Sequence, residues 1–232
     1  MSKCVDIVIP TKRREHAFTC LSALRHVPWC YKLHLISDEP TSWSKAVNLG
    51  LSRTKHDVIL MDDDVFVGPE TFTHVDKLYQ RGDVFGFKLK FPNGLIQHAG
   101  GFSKNGNIHH IGFCEPDEGK YNNPRYTCHL TTSLVYIKRA VLDKLQGMAE
   151  DYPGLQFEDV DFSFRALAAG FRLLYLPQEA IHMQSASKSA MPRFNERIEE
   201  NLLELKRRWL DRPEWQKEIE QYPKPLLELA GA

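Results

Sequence analysis

The chain has 232 residues, 30 Lys and Arg against 30 Asp and Glu, and 42% hydrophobic residues. This is ordinary globular composition, long enough for one generous domain with a real core. Zero net charge excludes a basic nucleic-acid-coating protein, and 13 Phe, 8 Tyr and 4 Trp exclude an acidic disordered chain. Val5 to Ile9 is a short β-branched strand ended by Pro10-Thr11, and Glu15 to His26 carries Phe18, Leu21 and Leu24 at helical spacing until Pro28. Tyr31 to Ile36 is a second strand that runs into Ser37-Asp38-Glu39-Pro40. Trp43 to Ser52 is a helix, and His56 to Met61 is a buried strand ending in Asp62-Asp63-Asp64. Pro69 opens a helix to about Gln80, with Gly82 as its stop. Alternating strands and helices of this kind predict parallel pairing through crossover connections.

The middle of the chain changes character. Residues 84–112 are strand-rich with turn residues at Pro92-Asn93-Gly94 and Lys104-Asn105-Gly106-Asn107, which predicts an antiparallel meander. Residues 113–124 read as a surface loop, and Thr127 to Lys138 as a strand before a short helix to about Gln146. Glu158 to Ala169 is a helix stopped by Gly170, and Phe171 to Leu176 a strand stopped by Pro177. The tail from about Arg193 to Trp209 is helical, with Ile198, Leu202, Leu205 and Trp209 on one face. The expected organisation is one α/β domain over 1–190, a nucleotide-binding half (3–83) and an acceptor half (84–190), followed by a helical tail (191–232).

Five cysteines without CxxC spacing point to free thiols in a reducing compartment. The N-terminus lacks signal-peptide architecture and no apolar run approaches a membrane span of roughly 20 residues. The expected location is the cytoplasm.

Ligands of open α/β sheets bind beyond the carboxyl ends of the strands, so polar residues there come first. Asp62-Asp63-Asp64 follows an apolar strand directly, and three adjacent carboxylates repel one another unless a hard divalent cation neutralises them. Alternation puts Asp62 and Asp64 on one side and Asp63 on the other. The competing reading is a solvated acidic turn. A second cluster, Glu158-Asp159-Val160-Asp161, is flanked by large apolar residues. The helix dipole alone favours acids in a first turn, but burial there raises a carboxylate's proton affinity as a general base needs. Arg165 stands four residues after Asp161 as a helical partner. His182 could complete a site for Mn²⁺ begun by two carboxylates. His98, His109 and His110 fall on the meander, where at most one of the adjacent pair faces any pocket.

Taken together, VDIVIPTKRRE, KAVNLGLSRTKHDVILMDDDV and FEDVDFSFRALAAGFRLLYLPQEAIHMQSASKS resemble the GT-A glycosyltransferases, specifically glycosyltransferase family 2. GLIQHAGGFSKNGNIHHIGF and TTSLVYIKR resemble its bacterial surface-polysaccharide and rhamnosyl-type members. The likeness spans residues 3–190 and implies a Rossmann-like, mostly parallel nucleotide-binding half with an antiparallel acceptor-side insertion. It implies that Pro10, Thr11 and Arg13 line the nucleotide pocket, that Asp38 contacts base or ribose, and that Asn48 lies near the nucleotide with Gly50. It also implies that Asp62 and Asp64 form the D-x-D pair, with Asp63 beside the donor, and that His182 is a late metal ligand. Asp159 is then the catalytic base, and Glu158 orients the acceptor or exchanges roles with it. Ser133 and Gly100-Gly101 are secondary candidates for the sugar and acceptor pocket. The stretch from Asp38 to Asn48 departs from the family, whose usual D-x-S-x-D reads Asp38-Glu39-Pro40-Thr41-Ser42-Trp43 here.

The implied activity is inverting transfer of a sugar from a UDP-, GDP- or dTDP-linked donor, with Mn²⁺ or Mg²⁺, to a glycan or glycolipid hydroxyl. A hydroxymethylated nucleobase or a protein is the alternative acceptor. A nucleotidyltransferase would need a glycine-rich phosphate loop, which Thr11-Lys12-Arg13-Arg14 lacks. A non-catalytic module of the same fold is the remaining alternative.

Overall fold

The structure is a computed structural model, and it describes residues 3–11, 14–37, 42–152, 156–183 and 194–226. The core is a mixed sheet. Its first strands are β1 (Cys4–Pro10), β2 (Cys30–Ile36), β3 (Asp57–Met61), β4 (Val65–Val67), β5 (Val84–Lys90) and β6 (Ile96–His98). They are followed by the hairpin β7 (Gly101–Lys104) and β8 (Asn107–His110), then β9 (Arg125–Tyr126), β10 (Leu134–Ile137), β11 (Leu173–His182) and β12 (Lys224–Pro225). The helices are α1 (Arg14–Ala23), α2 (Trp43–Leu51), α3 (Arg139–Leu145), α4 (Glu158–Ala168), α5 (Phe194–Leu205) and α6 (Pro213–Ile219).

The sheet order is β12-β9-β11-β5-β10-β3-β1-β2, with β4 on β11 and β6 on β5. β2, β1 and β3 are mutually parallel, as are β5 and β11, while β10 runs antiparallel between β3 and β5. All five parallel strands therefore deliver their carboxyl ends to one edge. β7 and β8 form a separate two-stranded sheet. In β3, Val58, Ile59, Leu60 and Met61 are all fully buried, because helices or loops cover both faces of a central strand. Each such side chain contributes roughly 1.5–3 kcal/mol of burial.

Several expectations change. Residues 69–81 are a series of turns, not a helix. The Thr71 hydroxyl accepts from Gly68 N–H and donates to Glu179 C=O, and Thr73 Oγ1 returns to Glu70 C=O, so side chains compete with helical hydrogen bonding. The expected strand over 127–138 forms only as β10, and residues 127–133 before it are irregular. Pro177 does not end β11. A register shift between Leu176 and Glu179 absorbs it, and the strand continues to His182. Phe18, which shares helical spacing with Leu21 and Leu24, is 73% exposed.

The 113–124 loop is pinned to the sheet. Asp117 accepts from the buried Lys88 and from Lys90, each at 3.0 Å. The tail joins a third core cluster, in which Leu205, Leu210 and Ile219 pack with Cys128, Tyr152, Val160 and Phe164. No helix among the described residues is long and apolar enough to cross a membrane.

Candidate active site

The site assembles at the carboxyl edge of the parallel strands. β3 ends at Met61, and the next three residues are acidic. Asp62 N–H donates to Ser133 C=O at 2.9 Å, which extends the β3–β10 pairing by one residue and holds the acidic turn against the sheet. β11 reaches the same place from the other side: Met183 N–H donates to Asp64 C=O at 3.0 Å.

These two backbone links put three ligating side chains together. One atom from each of Asp62, Asp64 and His182 lies within 4.8 Å of the others. His182 Nε2 is 3.1 Å from Asp64 Oδ1 and 4.0 Å from Asp62 Oδ2. The other ring nitrogen, Nδ1, is 2.8 Å from Gln97 Oε1 on β6, so it donates there and leaves Nε2 to face the acids. Asp62 Oδ1 accepts from the Trp43 indole N–H at 3.2 Å, and the Ser133 hydroxyl donates to the same carboxyl. Burial raises Asp62's proton affinity above the ordinary carboxylate value, and Asp64 adds to this, while His182, Ser133 and Trp43 oppose it. Asp63 turns the other way, where the Thr11 hydroxyl donates to its carboxylate.

The second acidic cluster opens α4. Phe157 precedes it in the left-handed region (φ 71°), an unfavourable conformation for a bulky residue that sets how the helix begins. Glu158 is 5% exposed, and its Oε1 has no hydrogen-bond partner among the described residues. Burial, reinforced by the charges of Asp159 and Asp62, pushes its pKa up to about 8. The Asp159 carboxylate accepts from Val160 N–H at 2.9 Å and is partly exposed. Asp161 is committed elsewhere: it takes Arg165 Nε at 2.8 Å, Trp209 Nε1 at 2.9 Å and the Tyr152 hydroxyl at 3.4 Å. That acid anchors the tail to α4.

Pro10 and Thr11 stand at the carboxyl end of β1. Pro10 pairs with Ile36 at the end of β1, and Thr11 N–H continues that pairing to Ile36 C=O. Asn48 is a brace: its amide donates to Met148 C=O and Glu150 Oε1 and accepts from Met148 N–H. With both N–H groups used, it locks α2 to the 147–150 turn and has no donor left for a nucleotide. Arg13 and Asp38 lie outside the described residues. Gln97 and Trp43 are supports that the sequence does not point to, and Ser133, expected in the sugar and acceptor pocket, donates to Asp62. Only contacts across the sheet identify them.

No family model matches the chain. It is 29% identical over 187 residues to the uncharacterized protein y4gI of Sinorhizobium fredii, covering 73% of this chain and 20% of that protein. It is 27% identical over 165 residues to the O-antigen biosynthesis protein RfbC of Myxococcus xanthus, covering 66% and 13%. The chain thus spans about a fifth or less of these relatives' length. Among solved structures it is similar to GalNAc-T7 with UDP, GalNAc and Mn²⁺ (TM-score 0.59, 12% identity, 78% of this chain and 44% of that one). It is also similar to TarS 1–349 of S. aureus (0.54, 17%, 78% and 60%). A third is the Pyrobaculum calidifontis mannosyltransferase in complex with GDP-Man and Mn²⁺ (0.53, 13%, 79% and 57%). The class defined is an α/β protein with the GT-A glycosyltransferase fold.

Proposed function

We propose that the protein is an inverting, metal-dependent glycosyltransferase of family 2 type, moving a sugar from a nucleotide-diphosphate donor to a hydroxyl of a glycan or glycolipid. The observation that carries this is the convergence of Asp62, Asp64 and His182 within 4.8 Å at the carboxyl edge of a GT-A sheet. The donor set fits Mn²⁺ or Mg²⁺: two carboxylates supply hard oxygen ligands, and one imidazole, oriented by Gln97, suits Mn²⁺. Asp62, whose proton affinity burial and the neighbouring Asp64 raise, stands to gain from a nearby cation. When bound, the cation offsets charge developing on the leaving diphosphate.

The protein's own groups do the rest. Thr11 and Asp63, at the ends of β1 and β3, form the donor-side wall. Asp159, the more accessible acid of the α4 pair, takes the proton from the acceptor hydroxyl as that oxygen attacks the anomeric carbon. The bond to the diphosphate oxygen breaks on the opposite face, so one displacement inverts the centre. Glu158, protonated at neutral pH, donates a hydrogen bond that orients the acceptor. The likeness to an O-antigen biosynthesis protein, and the GDP-Man and UDP bound by two fold neighbours, favour a nucleotide-sugar donor and a polysaccharide-type acceptor.

The test is a thermal-shift screen of UDP-, GDP- and dTDP-sugars with and without Mn²⁺, followed by turnover of the best donor. A nucleotide-sugar that stabilises the protein only with Mn²⁺ supports the reading. Stabilisation by none of them overturns it.

A further inference from the structure

A second cluster lies on the acceptor side, made of side chains that the sugar-transfer reading does not use. His98 ends β6, His110 ends β8, and His129 sits in the segment between β9 and β10. One ring nitrogen from each lies within 4.8 Å of the others. His98 Nδ1 and His110 Nδ1 are 2.7 Å apart, and the His110 and His129 rings stand at 89° with centroids 5.3 Å apart. His98 and His129 are buried, while His110 lies at the exposed rim.

A hydrogen-bonded imidazole pair accounts for His98 and His110 but leaves His129 unexplained. Its Nε2 is buried without a hydrogen-bond partner among the described residues, a cost of about 1–3 kcal/mol when nothing compensates it. The fold makes room for the ring: a Cβ at Gly101 would collide with it, and the Thr127 hydroxyl fixes that glycine by bonding both its N–H and its C=O. Burial, reinforced by His110, pushes His98 and His129 well below the usual imidazole range.

We propose that His98, His110 and His129 form a three-imidazole site for a borderline transition-metal ion of the Zn²⁺ type, with a fourth coordination position at the His110 rim. Nitrogen ligands alone suit Zn²⁺ over the hard cations that two carboxylates attract, so the two sites select different metals. Zn–N bonds of about 2.0–2.1 Å in a tetrahedral arrangement separate ligand nitrogens by about 3.3 Å. Binding therefore widens the 2.7 Å His98–His110 contact and breaks its hydrogen bond. Ligation through Nδ1 moves the His98 ring proton to Nε2, and the weak 3.5 Å contact from Thr131 N–H gives way. The ion would tie the β7–β8 hairpin to β6 and to the segment before β10, adding to the backbone links that Ala99, Gly101 and Cys128 already make there. This site does not depend on the sugar-transfer reading.

The experiment titrates Co²⁺, a spectroscopic stand-in for Zn²⁺, into the full chain carrying Asp64→Ala, which disables the acidic site. Retention of one Co²⁺ with d–d bands of a low-coordinate nitrogen site, lost or weakened at least about tenfold on adding His110→Ala, is the expected result. Absence of Co²⁺ binding in Asp64→Ala, or indifference to His110→Ala, overturns the proposal. If the double variant does not fold, the paramagnetically shifted ring resonances of Co²⁺-loaded Asp64→Ala count the imidazoles directly. Three support the site, and fewer overturn it. Failure here leaves the nucleotide-sugar screen untouched, so the two readings fail separately.

Discussion

His182 Nε2 stands 3.1 Å from Asp64 Oδ1, although 118 positions separate the two residues. The last residue of β11 is thereby joined to the acidic turn after β3, across β10 and β5. The pairing needs β11 to continue past Pro177, and the bulge at 177–178 is what permits it.

Metal-promoted nucleotide binding depends on this pairing. Asp64→Ala is expected to abolish Mn²⁺-dependent binding of the preferred nucleotide in calorimetry. Gln97→Ala removes only the acceptor that orients His182 and is expected to weaken Mn²⁺ binding about 10- to 100-fold. Equal Mn²⁺ affinity in wild type and Gln97→Ala would show that His182 is not a ligand.

The α4 acids separate by substitution. If Glu158 works as a neutral carboxylic acid, Glu158→Gln preserves its hydrogen-bonding shape and turnover falls less than about tenfold. Asp159→Asn removes the base and costs about 10²–10⁴ in kcat. The reverse ranking would exchange the two roles.

Glu158 also sets a pH dependence. Its folded pKa of about 8 lies above the ordinary value of 4.5, so between these values the native state holds a proton that the unfolded chain has lost. Its contribution to stability is full below about pH 4.5 and is lost as pH rises to about 8. Wild type should therefore lose Tm relative to Glu158→Gln across pH 5 to 8. Parallel Tm curves would refute the raised pKa.

Asp6 acts in the opposite sense. Burial alone would raise its pKa, but His34, the backbone N–H groups of Lys55 and His56, and the His56 ring together lower it from 3.8 to about 2. The stability it confers is present above pH 4 and is lost as pH falls through about 2. Asp6→Asn should cost about 1–3 kcal/mol at neutral pH in chemical denaturation, with the difference shrinking toward pH 2. A constant difference over that range would contradict the ionised, bonded carboxylate.

Asn48→Ala distinguishes a brace from a ligand. Loss of its bonds to Met148 and Glu150 should destabilise the fold by about 1–3 kcal/mol while leaving the nucleotide affinity of the folded protein unchanged. A drop in affinity without loss of stability would restore the nucleotide role that family resemblance implies.

Local pattern was enough for the elements whose neighbours obey it. β1, β3 and α4 are legible because β-branched runs and a 3.6-residue period survive burial. The acidic turn at 62–64 is legible because three carboxylates after an apolar strand conflict with solvation unless something neutralises them. The 69–81 segment was not, because Thr71 bonds to Glu179, 108 residues away, and no window of sequence contains that partner.

Charge tells the same story at larger scale. The sequence alone determines a neutral α/β chain with its acids gathered after strand three and at the start of one helix. Tertiary structure alone decided which acids face one another. Asp62 and Asp64 meet His182, Asp63 meets Thr11, and Asp161 is spent on Arg165 and Trp209. The division follows from physics: a side chain's periodicity is fixed by its neighbours along the backbone, whereas its partner and its proton affinity are fixed by what the sheet order brings beside it.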